Sequence, residues 1–340
     1  MTSIGRQALR PGGSQTQRAF DPSVSNDAQP NLPREPRYHP STMQWKVSPE
    51  EAISDLLELL DLEEIDVNIY RGSNEKRRPG RLFGGQVAAQ ALAAAGQTVE
   101  DTPAHSLHGY FLRPGDPAVP VVYNVDRIRD GRSFTTRRVV AQQHGKAIFN
   151  MAVSFHQAEQ GYFHQLEMPA VPPPQDLLTR TEWAEKLADQ IRPEFRQWAG
   201  RPGPIETRHL HPPSFISPDP QSGPASVWMK AVRSLPDDPM LHQCVLTYAS
   251  DISLVDVIVQ PHGRKAALGP LMTASLDHAV WFHKPARIDE WILYQQDSPA
   301  AFGARGLARG TLYTESGELV ASTCQEALVR PTSASEDRAE

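Results

Sequence analysis

Cysteine is nearly absent: Cys244 and Cys324 are the only two in 340 residues. A disulfide framework is therefore excluded, and no Cys/His cluster has the spacing of a zinc site. Both lie in apolar runs and read as buried free thiols. No apolar run approaches the length that spans a bilayer, and the N-terminus lacks the apolar centre of a secretory signal. Neither sign of charge dominates, with 34 Lys and Arg against 40 Asp and Glu and a net charge of −6. That balance gives no basic face for nucleic acid or an anionic membrane. The last residues, Asp337 to Glu340, are not a Ser-Lys-Leu peroxisomal address. Arg6, Arg10 and Arg18 precede the first acid, Asp21, a faint likeness to a mitochondrial transit peptide. The expectation is a cytoplasmic protein, with mitochondrial or peroxisomal location as the alternatives.

What is present suits a globular chain, 39% hydrophobic and 22% charged, long enough for two ordinary domains. Its 31 prolines gather in the first forty residues and between Pro169 and Pro239. Five regions follow: a disordered extension at 1–45, a first unit at 46–165, a Pro-rich linker with a helix at 166–222, a second unit at 223–332, and a tail at 333–340.

Ser48-Pro49-Glu50-Glu51 is a capping box, followed by Ile53, Leu56, Leu57 and Leu60 at helical spacing. Ile65 to Tyr70 alternates as a strand. Phe83 to Val99 then opens on Gly84-Gly85 and continues as an Ala-rich helix, smooth enough for a sheet to wrap around it. Strands are expected at Ser106–Leu112, Val121–Arg129, Ser133–Gln143 and Ala147–Gln157, with Asp130-Gly131 as a hairpin turn. In the linker, Glu182 to Trp198 reads as an amphipathic helix. The second half repeats the order: a strand at Ser226–Ser234, one helix from Leu241 to Val259, then strands at Ala274–Phe282, Trp291–Gln296, Gly303–Tyr313 and Leu319–Leu328. The repeat is finer than element order. Phe111-Leu112-Arg113-Pro114 matches Phe282-His283-Lys284-Pro285, Val122-Tyr123 matches Leu293-Tyr294, and Gly145-Lys146 matches Gly317-Glu318. An offset of about 170 residues relates all three pairs, so the chain reads as two copies of an α+β unit.

The motifs FGGQVAAQALAAA, HSLHGYFLRPGD, RDGRSFTTRRVVAQQHGKAIF, YASD and DHAVWFHKP, in that order, resemble the type II acyl-CoA thioesterases, the family of bacterial thioesterase II and the eukaryotic peroxisomal acyl-CoA thioesterase. The resemblance covers about Leu56 to Arg330. It implies a double hotdog, two antiparallel sheets each wrapped around a long helix, and hydrolysis of fatty acyl-CoA to free acid and CoA without metal or organic cofactor. It also implies a homo-oligomer.

In that family an aspartate, a hydroxyl and a glutamine hold the hydrolytic water. The matching residues are Asp251 of YASD, Ser275 before the Asp277-His278 pair, and Gln325 in the last strand. The family's bacterial members carry Thr where Ser275 stands, a change that keeps the hydroxyl. On the residues alone, Asp251 is a helix carboxylate among apolar neighbours, Ser275 a turn or cap residue, and Gln325 an amide in an apolar strand that needs partners. Gly84, Gly85 and Gln86 are expected to shape the acyl-CoA cleft, with Gln86 as the side-chain contact, at a position matching that of Asp251 in the other repeat. Asp277, His278 and Ser275 suggest a triad, but alternation along one strand sends neighbours to opposite faces, which favours a structural role for Asp277-His278. Arg113, Lys284 and Arg309 are candidates for CoA phosphates or plain surface. Two other readings stand beside the hydrolase: a hotdog enoyl-CoA hydratase or dehydratase, which would need a His paired with an acid near a helix start, and a non-catalytic acyl-CoA-binding protein.

Overall fold

In the computed structural model, residues 47–75, 80–191, 199–217, 219–263 and 271–331 are described, and the expected extension and tail lie outside them. The capping box forms as its residues dictate. The Ser48 hydroxyl accepts the Glu51 N–H at 3.1 Å, and the Glu51 carboxylate accepts the Ser48 N–H at 2.8 Å. Helix α1 (Pro49–Leu60) follows and buries Ile53, Leu56 and Leu60.

Ile65 to Tyr70 is not one strand. It is the hairpin of β1 (Glu63–Asp66) and β2 (Ile69–Gly72). Asn68 takes a left-handed backbone (φ 59°), which asparagine tolerates, and Ile65 and Val67 are left exposed at the turn. Helix α2 (Gly84–Gly96) comes next and is buried from Gly85 to Ala95. Strands β3 (Ala104–Phe111), β4 (Val121–Asp130), β5 (Phe134–Gln143) and β6 (Lys146–His156) complete the first curved sheet.

The linker adds to the sheet as well as crossing the surface. It supplies β7 (Leu178–Thr179), α3 (Arg180–Lys186) and β8 (Ile205–His209). The expected helix from Glu182 to Trp198 therefore starts two residues early, on a Thr179/Glu182 capping box, and ends at Lys186; residues 192–198 lie outside the described set.

The second repeat runs through β9 (Ala225–Ala231), α4 (Pro239–Ser250), α5 (Leu254–Val259), β10 (Leu271–Ser275), β11 (Asp277–Phe282), β12 (Ile292–Phe302), β13 (Arg305–Thr314) and β14 (Leu319–Pro331). The strand order is β1-β2-β4-β5-β6-β3-β11-β14-β13-β12-β9-β8-β7, with β10 on β14 and every pairing antiparallel. The two repeats thus join through β3 and β11, where Tyr110 faces Asp277 and Ser106 faces Trp281. This is a double hotdog.

Two tyrosines at the repeat offset show why the units are alike. Tyr123 and Tyr294 are fully buried, and each ties its sheet to its central helix. The Tyr123 hydroxyl donates to Gln90 of α2 at 2.7 Å, and that of Tyr294 to the Ser250 carbonyl of α4 at 3.0 Å. A phenol buried in a core needs such a partner, and burial pushes both pKa values up.

The single helix expected from Leu241 to Val259 is broken. α4 stops at Ser250, Asp251 is its C-cap, and α5 begins at Leu254. The stretch Pro239–His262 has the length and mean hydropathy (1.2) of a membrane span, but 67% of its most apolar window is buried between the sheets. Helices α2 and α4 run antiparallel in close contact. A side chain on Gly96 would meet the Met240 sulfur at 3.0 Å at one end, and one on Gly85 would meet the Tyr248 carbonyl oxygen at 2.6 Å at the other. The small residues of α2 therefore serve helix–helix approach as well as sheet packing.

That contact predicts that Gly85→Val lowers stability by about 1–3 kcal/mol, because overpacking at backbone cannot relax by a rotamer change. Urea denaturation measures it; an unchanged midpoint would show that the helices can separate freely.

Candidate active site

The antiparallel helix pair brings opposite helix ends together. Asp251, capping the C-terminus of α4, lies against the first turn of α2: a Cβ on Gly84 would be 2.8 Å from Asp251 Oδ2. Gly84, Gly85 and Gln86 have N–H groups with no acceptor within their helix, and this end carries the positive pole of the helix dipole. The proximity comes from antiparallel packing.

Behind the carboxylate, Ser275 and Gln325 converge. Ser275 Oγ donates to Asp251 Oδ1 at 3.5 Å, and Gln325 Nε2 donates to Ser275 Oγ at 3.0 Å. Gln325 is fully buried and Asp251 nearly so. His278, also fully buried, presents Nδ1 to Gln325 Oε1 at 2.6 Å. A carbonyl oxygen can only accept, so Nδ1 donates to Gln325, while Ser250 Oγ, 2.8 Å from Nε2, donates to the Thr247 carbonyl at 2.9 Å. The donors form one directed series, His278 to Gln325 to Ser275, ending on Asp251.

A bulge makes this convergence possible. Ser275 faces Ala327 of β14, but Ala279 faces Cys324, so β10 and β11 carry one residue more than their partner between these points. The strand expected from Ala274 to Phe282 is therefore interrupted at Leu276. Strict alternation would send Ser275 and His278 to opposite faces; the extra residue turns both inward. Asp277 goes outward, where its Oδ2 meets His108 Nε2 at 2.9 Å. The Ser-His-Asp triad is thus absent, as alternation at Asp277-His278 requires, yet His278 does reach Ser275 through Gln325.

Gln86 is drawn toward the loop after β2. Its side chain is buried, and its amide nitrogen donates to the Ser73 carbonyl at 3.3 Å, Asn74 Oδ1 at 3.2 Å and Gln90 Oε1 at 3.4 Å. It fastens the loop after β2. The basic candidates are also engaged: Arg113 Nη1 with the Ala147 carbonyl, Lys284 with Glu318 and Arg309 with Asp297. Cys244 is buried, its thiol pKa pushed up by burial, whereas Cys324 is only half-buried because it faces outward between Thr323 and Gln325. A cavity of about 160 Å³ abuts the cluster, touching Phe83 on one side of the α2 start and Tyr248, Ile252 and Ser253 around Asp251.

Two curved sheets, each around a central helix in one chain, define a double-hotdog protein. The family model for acyl-CoA thioesterase matches residues 219–328, and that for the acyl-CoA thioesterase N-terminal domain matches 74–156. Acyl-coenzyme A thioesterase 8 of Mus musculus is 40% identical over 282 residues, spanning 80% of this chain and 88% of its own. Among solved structures, acyl-CoA thioesterase II of Mycobacterium marinum is 44% identical with a TM-score of 0.68, covering 82% of this chain and 99% of that one. A hot dog fold protein of unknown function from Alicyclobacillus acidocaldarius, 19% identical with a TM-score of 0.65 over 82% of this chain and 98% of its own, shares the fold. The chain belongs to the type II acyl-CoA thioesterases, hydrolases acting on thioesters.

Replacing His278 by leucine would leave Gln325 Oε1 unpartnered in the core, and a loss of about 1–3 kcal/mol is expected. His278→Asn offers an amide N–H in place of Nδ1 and should recover part of it. Thermal unfolding of the two variants makes the comparison; equal losses would show that the ring fills space and does not orient the amide.

Proposed function

We propose that this thioesterase hydrolyses fatty acyl-CoA with a water activated by Asp251 and positioned by Ser275 and Gln325. The observation that carries the reading is the placing of the Asp251 carboxylate against the N-terminal turn of α2. One locus then offers a base for water and N–H donors for a developing oxyanion.

With the thioester carbonyl over Gly84 and Gly85, the Asp251 carboxylate takes a proton from the water as its oxygen attacks the carbonyl carbon. The negative charge that forms on the carbonyl oxygen meets the free N–H groups of α2. Collapse of the tetrahedral species breaks the C–S bond and releases CoA as a thiolate, to which the proton on Asp251 returns. The Ser275 hydroxyl and Gln325 amide hold the carboxylate and water in line, and Gly84 leaves space that a side chain would fill. Gln86 contributes by anchoring the loop, not by touching substrate. No residue need act as a covalent nucleophile.

Asp251→Asn should preserve the fold and acyl-CoA binding while lowering kcat about 10²- to 10⁴-fold. Ser275→Thr should stay active and Ser275→Ala should not. Release of free CoA from palmitoyl-CoA, followed with a thiol reagent, provides the readout; near-normal turnover by Asp251→Asn would refute the assignment.

A further inference from the structure

Asp277 stands outside the donor series that ends on Asp251. Its side chain points to the outer face of the sheet and is 19% exposed. Its backbone, however, lies between Ser275 and His278, the two residues that the bulge turns inward. The extra residue at Leu276 disturbs the ladder there. The Leu276 N–H donates to the Glu326 carbonyl at 2.9 Å. The N–H and C=O of one residue in an antiparallel strand point the same way, so the Glu326 N–H also faces β10 and β11. In a regular pair the Leu276 carbonyl would accept it. That carbonyl is turned to the first repeat instead, where it accepts the Phe111 N–H at 2.9 Å. The Glu326 N–H goes to a side chain: Asp277 Oδ1 accepts it at 2.6 Å.

Glu326 directly follows Gln325. One carboxylate therefore ties the strand that carries Gln325 to the segment that carries Ser275 and His278, at the point where the backbone ladder is broken. Its other oxygen is held from the first repeat, since Oδ2 meets His108 Nε2 of β3 at 2.9 Å. Phe111, which holds the Leu276 carbonyl, ends the same strand β3. Its ring lies 2.8 Å from where a Cβ on Gly84 would stand. The bulge is thus pinned from both repeats, beside the start of α2. The contact it supports has little slack: Ser275 Oγ is already 3.5 Å from Asp251 Oδ1, so a small displacement ends that hydrogen bond.

Resting on the reading of Asp251, Ser275 and Gln325 as the hydrolytic group, we infer that Asp277 is a positioning residue for the reaction. It acts through the backbone. Its carboxylate takes the place of the Leu276 carbonyl at the Glu326 N–H, and so keeps Ser275 Oγ within reach of both Gln325 Nε2 and Asp251. His108 supports it by fixing the second carboxylate oxygen. Neither side chain touches the substrate in this arrangement, so their loss is felt in turnover and not in binding.

The test compares Asp277→Ala, Asp277→Asn and His108→Ala in palmitoyl-CoA hydrolysis, with thermal unfolding to show which variants are folded at the assay temperature. Asp277→Ala should lower kcat roughly 10- to 100-fold, the cost of a small misplacement, and leave KM within about threefold of wild type. Asparagine keeps an Oδ1 acceptor for the Glu326 N–H, and a neutral His108 can carry its proton on Nδ1 and accept from the new amide. Asp277→Asn should therefore recover most of the loss. A kcat of Asp277→Ala within about twofold of wild type would overturn the inference, as would a loss confined to KM or an equal loss in Asp277→Asn. If Asp277→Ala does not fold, His108→Ala decides, because its half-exposed ring leaves no hole in the core. It should lower kcat about 3- to 10-fold, and an unaltered kcat would overturn the inference. Near-normal turnover by Asp251→Asn would instead overturn the hydrolytic reading on which the inference rests.

Discussion

The contact between the start of α2 and the end of α4 is the constraint on which the rest depends. Two helices can approach until backbone meets backbone only where side chains are missing, and Gly84 and Gly85 supply that gap. The approach places a carboxylate at the negative end of one helix against the positive end of the other. Asp251 is poorly placed with respect to its own helix, and the α2 terminus offsets that. The wrapped sheets hold both helices in register through Tyr123 and Tyr294, so the electrostatic arrangement rests on the core.

Behind this contact the polar cluster is unusual in having one direction. Buried amides and imidazoles are costly unless satisfied, and here each donor finds the next acceptor until the series ends on Asp251. Such a series fixes the rotamers of the groups behind the carboxylate. The bulge at Leu276 is the backbone feature that allows it, because a regular strand could not present Ser275 and His278 to the same interior.

Much of this was legible in the sequence. The constant offset between Tyr123 and Tyr294 disclosed the repeat, and the capping box at Ser48 and the hairpin at Asp130-Gly131 carried their own local signatures. The residues that escaped did so for physical reasons. The break at Asp251 lies within a continuous apolar stretch, so periodicity runs through it. The bulge has no composition of its own. Gln86 was singled out by its place in the repeat, and its hydrogen bonds to Ser73 and Asn74 depend on a loop whose path local sequence does not specify. The antiparallel sense of α2 and α4, which creates the site, is a tertiary fact that neither helix encodes alone. Composition in the Pro-rich connector does not disclose that its strand β8 and helix α3 form a wall of the cavity.

Single-turnover hydrolysis in H₂¹⁸O tests most directly whether Asp251 acts on water and not on the acyl group. With enzyme in excess over palmitoyl-CoA, the account predicts one ¹⁸O in the released palmitate and none in the peptide containing Asp251. Label recovered in Asp251, with unlabelled palmitate from the first turnover, would indicate an acyl-aspartyl intermediate and contradict the account.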